Sequence, residues 1–183
     1  MRIIISLFML LTLMAGNVHA QELEELTGAE RKAIQEKLDS LMYVEAEKAI
    51  SDKDFTLEAD KVVFKYGQTA FVNSNTNFVS VTGDKSVVQV AFNIPASGPN
   101  GLGGITLDGN VSKYEVKKDK KGNIHVSMNV MGTGISAMID IDLYKGSNKA
   151  SVTISPNFNS NRMTLSGVIV PSSSSRVFKG RSI

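Results

Sequence analysis

The side chains with chemistry to offer are few: His125, the pair Asp140 and Asp142, Ser127, and two stretches rich in asparagine. The chain contains no cysteine, which excludes a thiolate zinc site, and His125 would need carboxylates to complete a metal site. A histidine can instead act as a general base toward a serine. Here there is no Gly-x-Ser-x-Gly elbow, and Ser127, two residues along the same strand face, has no activating neighbour in sequence. His125 is therefore read as a surface histidine. Asp140 and Asp142 alternate on one strand face, about 6.5–7 Å apart at Cα. That spacing touches the lower range of carboxyl separations in inverting glycosidases, yet alternating acids are also ordinary on a solvated strand. Together with Asp84 and Asp108 they could ligate calcium, but no Asp-x-Asp-x-Asp-Gly loop is present. No catalytic residue, metal site or cofactor is assigned, and the chain is expected not to be an enzyme.

The asparagines form the more unusual pattern. Residues 73–78 read Asn-Ser-Asn-Thr-Asn-Phe, and residues 156–162 read Pro-Asn-Phe-Asn-Ser-Asn-Arg. Amides both donate and accept, and beside aromatic rings they suit recognition of sugars or peptides. The competing reading is that they build Asx-turns at strand ends. Between them, Pro95, Gly98, Pro99, Gly101, Gly103 and Gly104 punctuate a long connection that can be neither helix nor central strand. It lacks the Gly-Lys-Ser/Thr ending of a phosphate loop and opens no helix. Long loops of this kind often carry function. The expected ligand-binding rim is therefore Asn73, Asn75, Asn77, Phe78, Asn100, Asn157, Phe158, Asn159, Asn161 and Arg162.

The elements that must position these residues follow from periodicity. Thr27 and Glu30 have the spacing of a capping box, so a helix starts there. Ala33, Ile34, Leu38, Leu41, Met42, Ala46, Ala49 and Ile50 recur at three- and four-residue steps, giving one amphipathic helix to about Ser51. From Phe55 to Val170 the period becomes two, which is the alternation of half-buried antiparallel strands. Ten strands are expected, at residues 55–65, 69–73, 77–82, 86–93, 104–108, 110–118, 123–131, 135–144, 149–155 and 162–170. Short turns such as Gly83-Asp84 and Lys121-Gly122-Asn123 can join only antiparallel neighbours, which makes a meander. The fold class is thus mainly β, an antiparallel meander closed as a barrel or stacked as a two-layer sandwich, with one N-terminal amphipathic helix. After Pro171 a serine run leads to a tail with Val177 and Phe178 expected to tuck against the core, the alternative being a basic docking peptide.

Composition bounds the setting. Arg2, the apolar run 3–15 and the small residues Val18 and Ala20 make residues 1–20 a secretory signal peptide, too short to span a bilayer. Domains are then expected at 1–20 (signal), 21–54 (helical segment) and 55–183 (one β domain). The product is expected to be exported, periplasmic or extracellular, soluble, without a transmembrane span, and not a lipoprotein, since no lipobox cysteine exists. Of 20 basic residues Arg2 leaves with the signal, and against 18 acidic residues the mature chain carries about one net positive charge. That excludes phosphate-driven nucleic-acid binding. Lys117, Lys118, Lys120 and Lys121 read as a solvated hairpin tip.

Several runs carry a resemblance: Phe-Val-Asn-Ser-Asn-Thr-Asn-Phe at 71–78, Gly-Pro-Asn-Gly-Leu-Gly-Gly-Ile-Thr at 98–106, Gly-Thr-Gly-Ile-Ser-Ala at 132–137, Pro-Asn-Phe-Asn-Ser-Asn-Arg at 156–162, and Val-Phe-Lys-Gly-Arg-Ser at 177–182. Over residues 55–183 the chain resembles an exported Bacteroidetes family, domain-of-unknown-function family 4251. The resemblance implies a cell-envelope setting and a mainly β fold, and it transfers no catalytic residue. The leading expectation is a non-enzymatic binding or interaction module of the bacterial envelope, its partner a small molecule, glycan, peptide or envelope protein. A lipocalin-like carrier of an apolar ligand is the alternative, followed by a hydrolase using surface carboxylates.

Overall fold

The computed structural model describes residues 27–91, 104–133, 135–157 and 162–182, and they fall into two units, one ending at Leu38 and one from Asp39 to Ile183. The expected signal peptide, the glycine-rich connection 92–103 with Asn100, and Phe158, Asn159 and Asn161 lie outside the described residues. Helix α1 spans Gly28–Ser51. Its start is the expected capping box: the Glu30 amide donates to Thr27 Oγ1 at 3.3 Å while the Thr27 amide donates to Glu30 Oε2 at 2.9 Å. No helix among the described residues is long and apolar enough to cross a membrane.

Nine strands follow in a meander: β1 Asp54–Phe64, β2 Thr69–Phe71, β3 Phe78–Thr82, β4 Lys85–Ala91, β5 Gly104–Lys118, β6 Ile124–Gly132, β7 Ser136–Leu143, β8 Lys149–Pro156 and β9 Met163–Pro171. Every pairing is antiparallel, and β9 returns to pair with β1, so eight strands close into a barrel, with short β2 extending β3's side of β1. Closure leaves no long open edge. Between β2 and β3 the chain makes an excursion, re-entering where Val72 donates to the Asp60 carbonyl and Ala59 donates to that of Asn77. Strand β5 runs through residues expected to form two strands. Gly109 is there for close approach and not for a turn, since an added Cβ would lie 2.6 Å from the Met131 carbonyl carbon.

Inward positions form one buried cluster, including Phe55, Leu57, Val62, Met128, Ile139, Ile141, Leu143, Leu165 and Ile169, joined by Ala46, Ala49 and Ile50 of the helix. The helix buries Tyr43 as well, a residue outside the expected stripe, because its hydroxyl donates to the Gly122 carbonyl at 2.7 Å. Tyr114 Oη likewise donates at 2.7 Å to the Ile50 carbonyl, which also accepts the Lys53 amide at 3.1 Å, so two donors close the last helical turn. Burial raises the Tyr114 phenol strongly, so it stays a donor at any ordinary pH.

At the closing seam, Gly167 of β9 faces Ala59 of β1 beside a register shift between Ala59 and Lys61. A Cβ on Gly167 would sit 1.9 Å from the Glu58 carbonyl oxygen and 2.7 Å from Ala59 Cα, both backbone atoms. Gly167→Ala is therefore expected to cost roughly 2–3 kcal/mol in urea unfolding, at the upper end of overpacking losses. Gly28→Ala, with nothing within 4 Å of the new Cβ, should be neutral or stabilising by up to about 1 kcal/mol. Equal midpoints for the two variants would contradict this account of the seam.

Candidate functional site

Strand alternation sends the polar residues of β5 to β8 to the outer wall, where register aligns them in two rows. Lys117, His125, Asp142 and Ser151 are successive partners in one row; Glu115, Ser127, Asp140 and Thr153 in the next. Glu115, Lys117, His125, Ser127, Asp140 and Asp142 of these rows, with Val126 and Ile141, line a shallow cleft of about 200 Å³. His125, read as a surface histidine, is exposed, and it shares one concave site with both aspartates. Its Nδ1 lies 2.6 Å from Asp142 Oδ1 and its Nε2 3.5 Å from Asp119 Oδ2. The Asp142 carboxylate, seconded by Asp119, raises the imidazole pKa above its usual 6.5.

Asp119 itself is fixed by the hairpin it terminates. Its Oδ1 accepts the Lys121 and Asn123 amides, each at 2.8 Å, and its Oδ2 accepts Asn123 Nδ2 at 2.8 Å. These donors, Asn123's side chain first, hold its pKa down at about 2. Ser127 Oγ donates to Asp140 Oδ1 at 2.9 Å, and Glu115 pairs with Lys117 at 3.2 Å. The imidazole faces a carboxylate on each side and the serine faces a third, so no hydrogen bond joins nucleophile to base. Among the described residues no group of acids and histidines is arranged to hold a metal ion.

The asparagine stretch at 73–77 has a different task. Asn73 Oδ1 accepts the Asn75 amide at 2.9 Å, an Asx-turn, and its carbonyl accepts the Thr76 and Asn77 amides at 3.1 Å. Asn77 is wholly buried: its Oδ1 accepts the Ala91 amide at 2.8 Å and its Nδ2 donates to the Asn73 carbonyl at 3.0 Å. Phe78 is 1% exposed. Asn77 and Phe78 therefore offer no exposed surface to a ligand as the chain stands, unlike the open rim that was expected. Asn73 gives its Oδ1 to the turn, and Asn73 and Asn75 are both exposed. Asn157 donates to Ser136 Oγ at 2.9 Å, and Arg162 is exposed. By register, the strand ends Ala91, Gly104, Gly132, Ser136 and Pro156 lie at one end of the barrel, which Asn77 also joins through Ala91.

One residue escaped sequence reasoning altogether. Gln89, a lone amide in the run Val-Val-Gln-Val, has no exposed surface and points to the outer wall. No local signal marks it, because its partners come from the 73–77 turn, β5 and the C-terminal tail. The tail itself differs from expectation. Val177 is half-buried, but Phe178 is 61% exposed and docks through its backbone.

Fold and wall together define a closed eight-stranded antiparallel barrel domain with a helix ahead of it and polar rows on its outside. The family model for a domain of unknown function (DUF4251) matches residues 37–169, starting within the helix. A solved DUF4251 family protein from Bacteroides eggerthii DSM 20697 is 52% identical, covering 81% of this chain and 99% of that one, with a TM-score of 0.69. The chain belongs to this family. A search of curated proteins finds no match.

The paired imidazole gives the cleft a measurable signature. Its folded-state pKa lies above the unfolded value of 6.5, so protonation favours the fold; the contribution is complete below about pH 6.5 and is lost as pH rises through the folded-state value. An NMR titration of His125 should give a midpoint above 6.5, and Asp142→Asn should bring it back toward 6.5. A wild-type midpoint at or below 6.5 would show that the carboxylates do not engage the ring.

Proposed function

We propose that this protein is a non-enzymatic binding module of the bacterial cell envelope, exported by its first 20 residues, with the cleft over β5 to β7 as its recognition surface. The observation that carries this reading is the commitment of each reactive group to a fixed partner. Ser127 donates to Asp140 and not to the imidazole, while His125 sits between Asp142 and Asp119. Such pairs hold charge in place; they do not activate a nucleophile. Glu115, Asp140 and Asp142 outnumber Lys117 and His125 along the lining, and this mixed donor and acceptor surface with an acidic excess suits a ligand presenting amines or hydroxyls, such as a glycan or a basic peptide. An apolar cargo inside the barrel has less support, because the inward side chains already pack on one another and on the helix.

Glycan arrays and peptide libraries probed with the chain from residue 21 onward should return a saturable ligand. Asp142→Asn should weaken its binding by about tenfold, the scale of a charge-assisted hydrogen bond, and the same preparation should turn over none of the polymers offered. Hydrolysis that falls in Asp140→Asn or His125→Gln would replace this reading with the hydrolase. Export has its own check: protein recovered from the envelope fraction of a Bacteroides host should begin at Gln21, and a full-length cytosolic product would contradict it.

A further inference from the structure

A second feature of the outer wall lies on other strands. Glu58, Phe78, Gln89 and Thr106 are successive register partners across β1, β3, β4 and β5. The end of the chain crosses this row. Ser175 Oγ donates to Glu58 Oε1 at 2.7 Å, joined there by the Arg176 amide at 3.3 Å, and the Phe178 amide donates to the Asn75 carbonyl at 2.7 Å. Gln89 then uses all four hydrogen-bonding positions of its amide. Nε2 donates to the Thr76 carbonyl at 3.0 Å and to the Phe178 carbonyl at 2.8 Å; Oε1 accepts Thr106 Oγ1 at 2.8 Å and the Gly180 amide at 2.7 Å. Lys179 pairs with Asp108.

We propose that this row is a binding groove for an extended basic peptide, filled here by the chain's own residues 175–180, and that the same segment of a second copy can take its place. Three observations carry this. The grip is on main chain: Gln89 reads the carbonyl of one residue and the amide of the second residue after it, as a neighbouring strand would. The segment contributes little to the core, since Phe178 is 61% exposed and Arg176 and Lys179 are exposed, so exchange sacrifices little apolar burial. A carboxylate anchors each end and sets register, Glu58 accepting from Ser175 Oγ and the Arg176 amide and Asp108 pairing with Lys179, in a segment that also carries the cations Arg176 and Arg181. This groove is independent of the His125 cleft, and either can fail without the other.

The tethered tail competes with any added peptide at an effective concentration on the order of millimolar, so the groove must first be opened in the full chain. Lys179→Glu does this by setting like charge against Asp108. By fluorescence anisotropy, a labelled synthetic peptide with the sequence of residues 175–183 should bind the Lys179→Glu chain at least about tenfold tighter than the wild type, the tether being the competitor removed. Adding Asp108→Lys, which restores the tail's own pair and repels the peptide, should abolish that binding. Gly180→Pro, which deletes the amide that Gln89 accepts, opens the groove by a second route and should also admit the peptide. The proposal is overturned if both opened chains keep the barrel's circular dichroism and bind nothing, if binding ignores Asp108, or if both lose the fold, which would make the tail part of the framework.

Discussion

The pairing of β9 with β1 is the constraint on which the remaining structure rests. The two strands are about a hundred residues apart in sequence and meet over nearly the whole length of β1, from Phe55 to Phe64. Bringing them together costs loop-closure entropy that grows only slowly with length, and it removes the open edges a nine-strand meander would otherwise present. Closure also decides what every alternating strand means. One face of each turns into a shared interior with the helix residues Ala46, Ala49 and Ile50, and the other becomes wall. The seam is not smooth: the register shifts at Ala59, and only a residue without Cβ fits opposite it at Gly167.

With the interior apolar, polar chemistry is confined to the wall and organised by cross-strand register. In both wall features a residue on one strand meets its partner directly opposite on the next: His125 with Asp142 and Ser127 with Asp140 on one side, Glu58 through Phe78 and Gln89 to Thr106 on the other. The two differ in their electrostatics. The first is an exposed array of charges, where solvent screening keeps each pair weak and the geometry serves recognition more than stability. The second has a fully buried amide at its centre, where an unmet hydrogen bond would be costly, and none of its four positions is unmet.

Much of this was legible in the sequence and some was not, for identifiable reasons. The helix limits followed from Thr27 and Glu30 and from three-and-four periodicity, and the strands β6 and β7 followed from their alternation. Barrel and sandwich share that alternation, so only the long-range return of β9 could separate them. Gly109 looked like a break because a glycine permits a turn and a close approach equally, and sequence does not say which. Asp140 and Asp142 were visibly on one face, but their union with His125 needed the register between β6 and β7. The asparagines of 73–77 advertised both a rim and a turn; the turn forms on Asn73 Oδ1 and the buried Asn77 holds the Ala91 amide, while Asn73 and Asn75 stay exposed. Gln89 had no local signal at all, since each of its partners is distant in the chain.

Amide hydrogen exchange across the seam tests this account most directly, because an outer wall exists only if the sheet is closed. In the full chain, the amides of β1 and β9 that bond to each other should exchange as slowly as those between β6 and β7, in the barrel's most protected class. Fast exchange in β1 and β9 beside slow exchange in β6 and β7 would mean an open sheet with two edges, and the division into filled interior and recognising wall would not stand.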